Sequence, residues 1–176
     1  METAIFGGGC FWCTEAVFSQ LRGVKGVMPG YAGGGIEKPT YDAVSDGTTG
    51  HAEVIKIEFD SSIISFEDLL AVFFGTHDPT TLNKQGNDTG TQYRSVIFYT
   101  NEAQKQTAGQ IIKETNEANV YENPLVTEVV PLEKFFDAET YHKDYYEKNK
   151  NAPYCAIVIE PKLEKLRKRF KELLKK

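Results

Sequence analysis

The sequence predicts an α+β fold: a single domain in which a mixed β-sheet carries packed helices, with a C-terminal amphipathic helix at the end of the chain. Three observations lead there. The chain has 176 residues, the length of one domain, and is long enough to bury a core without covalent staples. Hydrophobic residues make up 40% and charged residues 26%, a globular balance that excludes wholesale disorder. Strand-like and helix-like segments mix without the strict alternation of a doubly wound sheet.

The elements follow in order. Thr3–Phe6 reads as a strand, halted by Gly7-Gly8-Gly9. Cys10–Leu21 reads as a helix with a broad apolar face from Phe11, Ala16, Val17, Phe18 and Leu21. Val24–Tyr31 is the next expected strand, and Gly30–Gly35 with Pro39 marks a loop. In His51–Phe59 the side chains of Ile55, Ile57 and Phe59 share one face of a strand, opposite Lys56 and Glu58. Ser65 opens a helix to about Thr76, with Asp68 placed for a capping box. Tyr93–Tyr99 is a strong strand, and Asn101 caps a polar helix to about Val120. Val126–Pro131 reads as a strand and Thr140–Asn149 as helical. Cys155–Ile159 reads as a short apolar strand leading into the tail helix, where Leu163, Leu166, Phe170, Leu173 and Leu174 recur at helical spacing. The arrangement expected is a two-layer α/β sandwich with a ferredoxin-like core.

Charge and cysteine content narrow the function. The net charge of -5 makes a poor general nucleic-acid binder. The charge is uneven: residues 162–176 carry +6 and the remainder -11. The tail leucines favour a helix packed on the body over a free binding arm. Three cysteines, Cys10, Cys13 and Cys155, are too few for a disulfide-built scaffold. No apolar run reaches the ~20 residues of a membrane span, and no secretory signal is visible at Met1–Phe6. The expected compartment is therefore the cytoplasm, although a chain trimmed of a signal would read the same.

The strongest chemical signal is Gly7-Gly-Gly-Cys-Phe-Trp-Cys13. Here a strand turns through glycines into a helix that opens with cysteine. A thiol at a helix start faces unsatisfied N–H groups and the positive end of the dipole, which favour the thiolate. Cys10 is thus a candidate nucleophile, against the plainer role of a buried small hydrophobe. Cys10-x-x-Cys13 also fits a redox dithiol, or half of a zinc site completed from Cys155, His51, His77 and His142. These histidines lack metal-ligand spacing, so zinc is the weaker reading. Phe11 and Trp12 are core aromatics or the walls of a small apolar pocket. Glu53, after Gly47-Thr-Thr-Gly-His-Ala, is an exposed strand end or a buried acid whose pKa desolvation raises. The polar loop His77–Arg94 offers Asp88 and Tyr93 as acceptor and donor.

Eight ordered blocks together resemble the methionine sulfoxide reductase A family, the peptide-methionine (S)-S-oxide reductases. They are Gly9–Trp12, Gly30–Gly34, Pro39–Tyr41, Thr49–Glu53, His77–Pro79, Gln85–Ser95, Ala138–His142 and Tyr154-Cys155, and the resemblance covers roughly residues 3–160. It implies a catalytic reductase domain over 1–160 and says little of the basic segment 161–176, which the leucine spacing reads as a C-terminal helix packed on the same domain. It implies that Cys10 attacks the sulfoxide sulfur while Glu53 protonates its oxygen and the Tyr41 and Tyr93 hydroxyls hydrogen-bond that oxygen. Phe11 and Trp12 would hold the ε-methyl, and Asp88 the methionine backbone. The sulfenic acid left on Cys10 would condense with a second thiol. Cys155 matches the usual resolving position and is favoured, while Cys13 stands where many relatives have glycine and remains the alternative. The implied substrate is methionine-S-sulfoxide, free or in peptides and proteins. The implied reductant is thioredoxin, or dithiothreitol in vitro, with no bound cofactor, no metal, no nucleic acid or membrane partner, and a monomeric state. The rival readings are a general thiol–disulfide oxidoreductase and a zinc-bound interaction module.

Overall fold

A computed structural model describes all residues, Met1–Lys176. Eight strands and six α-helices follow in the order β1 (Glu2–Gly7), α1 (Phe11–Phe18), β2 (Val24–Ala32), α2 (Tyr41–Ser45), β3 (Ala52–Phe59), α3 (Phe66–Thr76), β4 (Lys84–Gln85), β5 (Asp88–Thr89), β6 (Val96–Tyr99), α4 (Glu102–Glu117), β7 (Glu128–Pro131), β8 (Phe135–Asp137), α5 (Tyr145–Lys148) and α6 (Glu160–Arg169). Six strands form one mixed sheet in the order β7-β6-β1-β3-β2-β8, and β4-β5 make a small hairpin. Only β6 and β7 run parallel as neighbours. The central β6-β1-β3-β2 with α1 and α3 is a split βαβ pair, the ferredoxin-like arrangement.

Strand alternation decides which residues face the helices. Phe6 stands opposite Ile55 on one side and Ile97 on the other. Its ring lies 5.7 Å from Phe18 of α1 and 4.8 Å from Phe73 of α3, so both helices pack on this face. Ile55, Ile57 and Phe59 belong to the same core, as their spacing predicts. Ile5, Val54, Val96 and Phe98 form a smaller cluster on the reverse face with Ala32 and Ala52. Because Glu53 shares the parity of Ile55, its carboxyl points toward the helices and lies buried.

Most elements fall where the sequence places them. Ser65 and Asp68 make both halves of the capping box, and Asn101 accepts the N–H of Gln104 as N-cap. Four expectations need correction. First, Cys155–Ile159 is not a strand; it is a helical turn continuous with α6. A short apolar run fits either state, and here Cys155, Ile159, Leu163 and Leu166 form one fully buried helical stripe while Ile157 is 72% exposed. Second, α6 stops at Arg169, and Leu173 and Leu174 run back beside the end of α1: Leu21 bridges Leu174, and Arg22 N–H donates to Leu173 C=O. Third, Tyr93 lies in a turn of 3-10 helix before β6, not in the strand. Fourth, the helical stretch Thr140–Asn149 is broken, because Asp144 adopts a left-handed φ of 56°. The sequence reading also missed α2, the β4-β5 hairpin and edge strand β8, all too short for a periodic signal.

The tail packs on the body through Leu163 and Leu166, both fully buried in the main core. Leu163→Ala is expected to cost about 2–5 kcal/mol, as other buried leucine truncations do. Urea unfolding checks this, and a loss below about 1 kcal/mol would show that α6 adds little to the core.

Candidate active site

The loop from β1 to α1 fixes the first thiol. Gly9 turns at φ 94°, a left-handed conformation, and Gly8 lies under the ring of His77, where an added Cβ would come within 3.1 Å. Cys10 then takes the N-cap position of α1 with extended backbone, and its carbonyl accepts the N–H of Cys13. The helix therefore begins at Phe11, one residue later than the sequence pattern indicates, and ends at Phe18 rather than Leu21. Cys10 is 8% exposed.

Glu53 of β3 reaches this helix start. Its Oε1 accepts the backbone N–H of Phe11 at 3.1 Å, while Oε2 is buried without a hydrogen-bond partner. Burial is the largest influence on this carboxyl and pushes its pKa up to about 8, against the lowering effect of the Phe11 N–H. With Oε1 engaged as acceptor, the proton belongs on Oε2, the free oxygen.

The thiols depart from the sequence expectation. Burial pushes the Cys10 thiol well above its ordinary range, and Cys13 and Glu53 add to the rise. The helix start does not outweigh this, since desolvation penalises a buried thiolate directly. Cys13 is brought down to about 7, first by sharing a proton with Cys10 and then by Lys162 and the Tyr154 hydroxyl, against its own burial. The resting thiol of Cys10 thus holds the proton, and Cys13 is the more readily ionised of the two.

Aromatic rings surround the pair. Phe11 is fully buried, with its ring 5.7 Å from Tyr31, 6.3 Å from Tyr41 and 5.0 Å from His142. Trp12 stacks on Tyr145 at 3.7 Å and 6°, and its indole N–H donates to His142 Nδ1 at 3.0 Å. Tyr41 opens α2, where Glu139 accepts its backbone N–H, and the same carboxylate accepts the Tyr31 hydroxyl. Burial, and then Glu53, raise the pKa of Tyr41 to about 12 and that of Tyr93 further, so both hydroxyls stay protonated donors. Asp88 of the hairpin accepts the hydroxyl of Tyr154 at 3.2 Å, and that hydroxyl lies 3.5 Å from Cys13 Sγ.

Cys10, Cys13, Phe11, Trp12, Tyr41, Glu53, Asp88 and Tyr93 therefore belong to one neighbourhood. Cys155 is fully buried in its helical turn, close enough to Cys13 for that thiol to raise its pKa, although its own burial matters more. All three cysteines are free. The sequence reading gives Glu139, Tyr145 and Tyr154 no role, and His142 only that of a possible zinc ligand. Glu139, His142 and Tyr154 do fall in the blocks Ala138–His142 and Tyr154-Cys155, whereas the signal for Tyr145 is only the density of tyrosines between 141 and 154. Two of the three histidines are engaged at both ring nitrogens: His51 with the Gly34 N–H and the Ile36 carbonyl, and His77 with the Phe73 carbonyl and the Ser95 hydroxyl, whereas His142 uses Nδ1 for Trp12 and leaves Nε2 without a partner. No three His, Cys, Asp or Glu side chains converge to hold a metal ion. No helix is long and apolar enough to cross a membrane.

Known proteins resemble this chain in sequence and fold. A family model described as peptide methionine sulfoxide reductase matches residues 2–174. The peptide methionine sulfoxide reductase MsrA of Saccharolobus solfataricus is 54% identical over 175 residues, covering 99% of this chain and 98% of its own. The structure of methionine sulfoxide reductase A of Corynebacterium diphtheriae superposes with a TM-score of 0.82 at 33% identity, covering 87% of this chain and 78% of that one. The structure of Mxr1 from Saccharomyces cerevisiae in complex with Trx2 has the same fold, with a TM-score of 0.56 at 23% identity over 82% of this chain and 84% of that one.

The buried carboxyl has a consequence for stability. In the unfolded chain Glu53 ionises above its ordinary value of 4.5, whereas in the folded chain it keeps its proton to about 8. The folded state binds more protons across that window, so stability falls as pH rises from about 5 to about 8. Glu53→Gln removes this dependence and should gain stability over the wild type more at pH 8 than at pH 5. Denaturant unfolding at the two pH values reads the difference, and an equal effect at both would mean the carboxyl is ionised in the fold.

Proposed function

The chain belongs to the peptide methionine sulfoxide reductase family, and we propose that its buried Cys10–Glu53 pair carries out the family's reaction. The function is thiol-dependent reduction of methionine sulfoxide to methionine. One observation carries the assignment of roles: a carboxyl held protonated by burial presents a partnerless Oε2 beside a thiol in an aromatic setting. Such an oxygen suits a ligand that brings a polarised S=O.

Glu53 Oε2 donates its proton to the sulfoxide oxygen, which makes the sulfur electrophilic. The Tyr41 and Tyr93 hydroxyls donate to the same oxygen as its charge develops. Neutralising the oxygen also favours ionisation of Cys10, whose sulfur attacks the substrate sulfur. The oxygen ends on Cys10 as a sulfenic acid and the thioether leaves; Cys10 loses the two electrons that the substrate sulfur gains. The thiol proton of Cys10 restores Glu53, so the acid is unchanged over the cycle. Phe11 and Trp12 take the ε-methyl, with Trp12 held by Tyr145 and His142. Asp88 and Tyr93 bind the methionine backbone. The S epimer is the substrate this arrangement serves.

The sulfenic acid then condenses with Cys155 or Cys13 to a disulfide, which thioredoxin reduces by exchange. The Mxr1–Trx2 complex supports that reductant. Dithiothreitol would replace it in vitro. We assign catalysis to residues 1–160 and a packing role to the basic segment 161–176, in a monomeric cytoplasmic protein that repairs oxidised methionine in proteins.

With racemic methionine sulfoxide and dithiothreitol, the wild type should consume only the S epimer. Cys10→Ser should yield no methionine above background, and Glu53→Gln should slow turnover about 10²–10⁴-fold, the usual worth of a general acid. Steady methionine production by Cys10→Ser would remove Cys10 from its role. Activity of Glu53→Gln within about tenfold of wild type would remove Glu53 from its own.

A further inference from the structure

We propose that Tyr154, held by Asp88, positions Cys13 as the first thiol to close on Cys10, given the reading above that Cys10 carries the sulfenic acid. Tyr154 acts here as a positioning residue, through Cys13.

The geometry singles out Cys13. It lies one helical turn after Cys10, within the range a disulfide can span, and its N–H already donates to the Cys10 carbonyl at 3.1 Å. Cys155 is placed otherwise. It begins a buried stripe that continues through Ile159, Leu163 and Leu166, so bringing it to Cys10 means unwinding that turn and uncovering core. Closing on Cys13 requires no such opening. The Tyr154 hydroxyl stands between the two acids of this corner, 3.5 Å from Cys13 Sγ and 3.2 Å from Asp88 Oδ2. Its ring is fixed edge-on to Trp12 at 5.7 Å and 82°.

This arrangement can move one proton. With Cys13 as thiol, S–H donates to the Tyr154 oxygen and the tyrosine O–H donates to Asp88. As Cys13 ionises, the tyrosine O–H turns to the sulfur. The charged and titratable groups facing Cys13 are Cys10 at the helix start, Glu53 from β3, Asp88 from β5, Tyr154 and Cys155 at the C-terminal turn, and Lys162 from α6. Lys162 and Tyr154 favour the thiolate and Asp88 opposes it. The step balances simply. The Cys13 sulfur bonds to the Cys10 sulfur, the Cys10 S–O bond breaks, and the hydroxide leaves as water with the proton that Cys13 gives up. The Cys10 sulfur gains one electron and the Cys13 sulfur loses one.

The test is a rapid-quench time course on the reduced full chain, without external reductant. Methionine is assayed, and disulfides are mapped after alkylation. A parallel arm uses hydrogen peroxide to oxidise the Cys10–Cys13 pair without substrate. Cys10–Cys13 should be the first disulfide in both arms, with Cys155 alkylated. Tyr154→Phe, which keeps the ring, should slow disulfide formation relative to methionine formation by about tenfold, the worth of one hydrogen bond to a charged group. It should also move the pH midpoint of disulfide formation upward and let dimedone trap the sulfenic acid. Cys10–Cys155 as the first disulfide with Cys13 free would overturn the proposal, as would a Tyr154→Phe protein with unchanged rates and pH profile. No methionine from the sulfoxide, together with a Cys10–Cys13 disulfide from peroxide that Tyr154→Phe slows, would overturn the function reading and leave the proposal standing.

Discussion

The hydrogen bond from the Phe11 N–H to Glu53 Oε1 ties the central strand of the sheet to the start of the helix that bears Cys10. It satisfies one of the orphan donors that every helix start exposes. It also orients a buried carboxyl that would otherwise have no partner at all, and so fixes which oxygen is free. The rest of the site is arranged around that constraint. The glycine turn allows the helix to start close to the sheet, and the parity of β3 aims the carboxyl at it. An acid buried this deeply is costly, and such costs are found where a fold supports chemistry.

A second layer comes from the segment between β8 and α6. Glu139 ties Tyr31 of β2 to the start of α2, His142 accepts the Trp12 indole, and Tyr145 covers its face. These contacts join residues 98 or more positions apart in the chain. They make a rigid aromatic surface from pieces that lack regular secondary structure of any length. For the methyl pocket proposed above, such fixed walls matter because an apolar methyl group is recognised only by shape and burial.

Much of the fold could be read from sequence. The alternation Ile55, Ile57, Phe59 gives the buried face of β3, and Ser65 with Asp68 gives the start of α3, because period and capping are local properties. The short elements could not be read. Cys155–Ile159 illustrates why: five apolar residues suit a strand or a helix, and the choice rests on whether Leu163 and Leu166 continue the buried stripe.

The sequence by itself determined the Cys10-x-x-Cys13 motif, a candidate acid at Glu53 and the family pattern that links them. Glycines, a cysteine at a helix start and a carboxylate on an apolar strand are readable from residue type and spacing. Only the tertiary structure decided the protonation of these groups. A helix start favours a thiolate when it is solvated, but Cys10 and Glu53 are both buried, and desolvation outweighs the local field and keeps the proton on each. The same holds for Cys13, whose lowered pKa depends on Cys10 nearby and on Lys162 and Tyr154 from the far end of the chain. Electrostatic environment is a property of the packed molecule, because it depends on distances and on excluded water that no single segment contains.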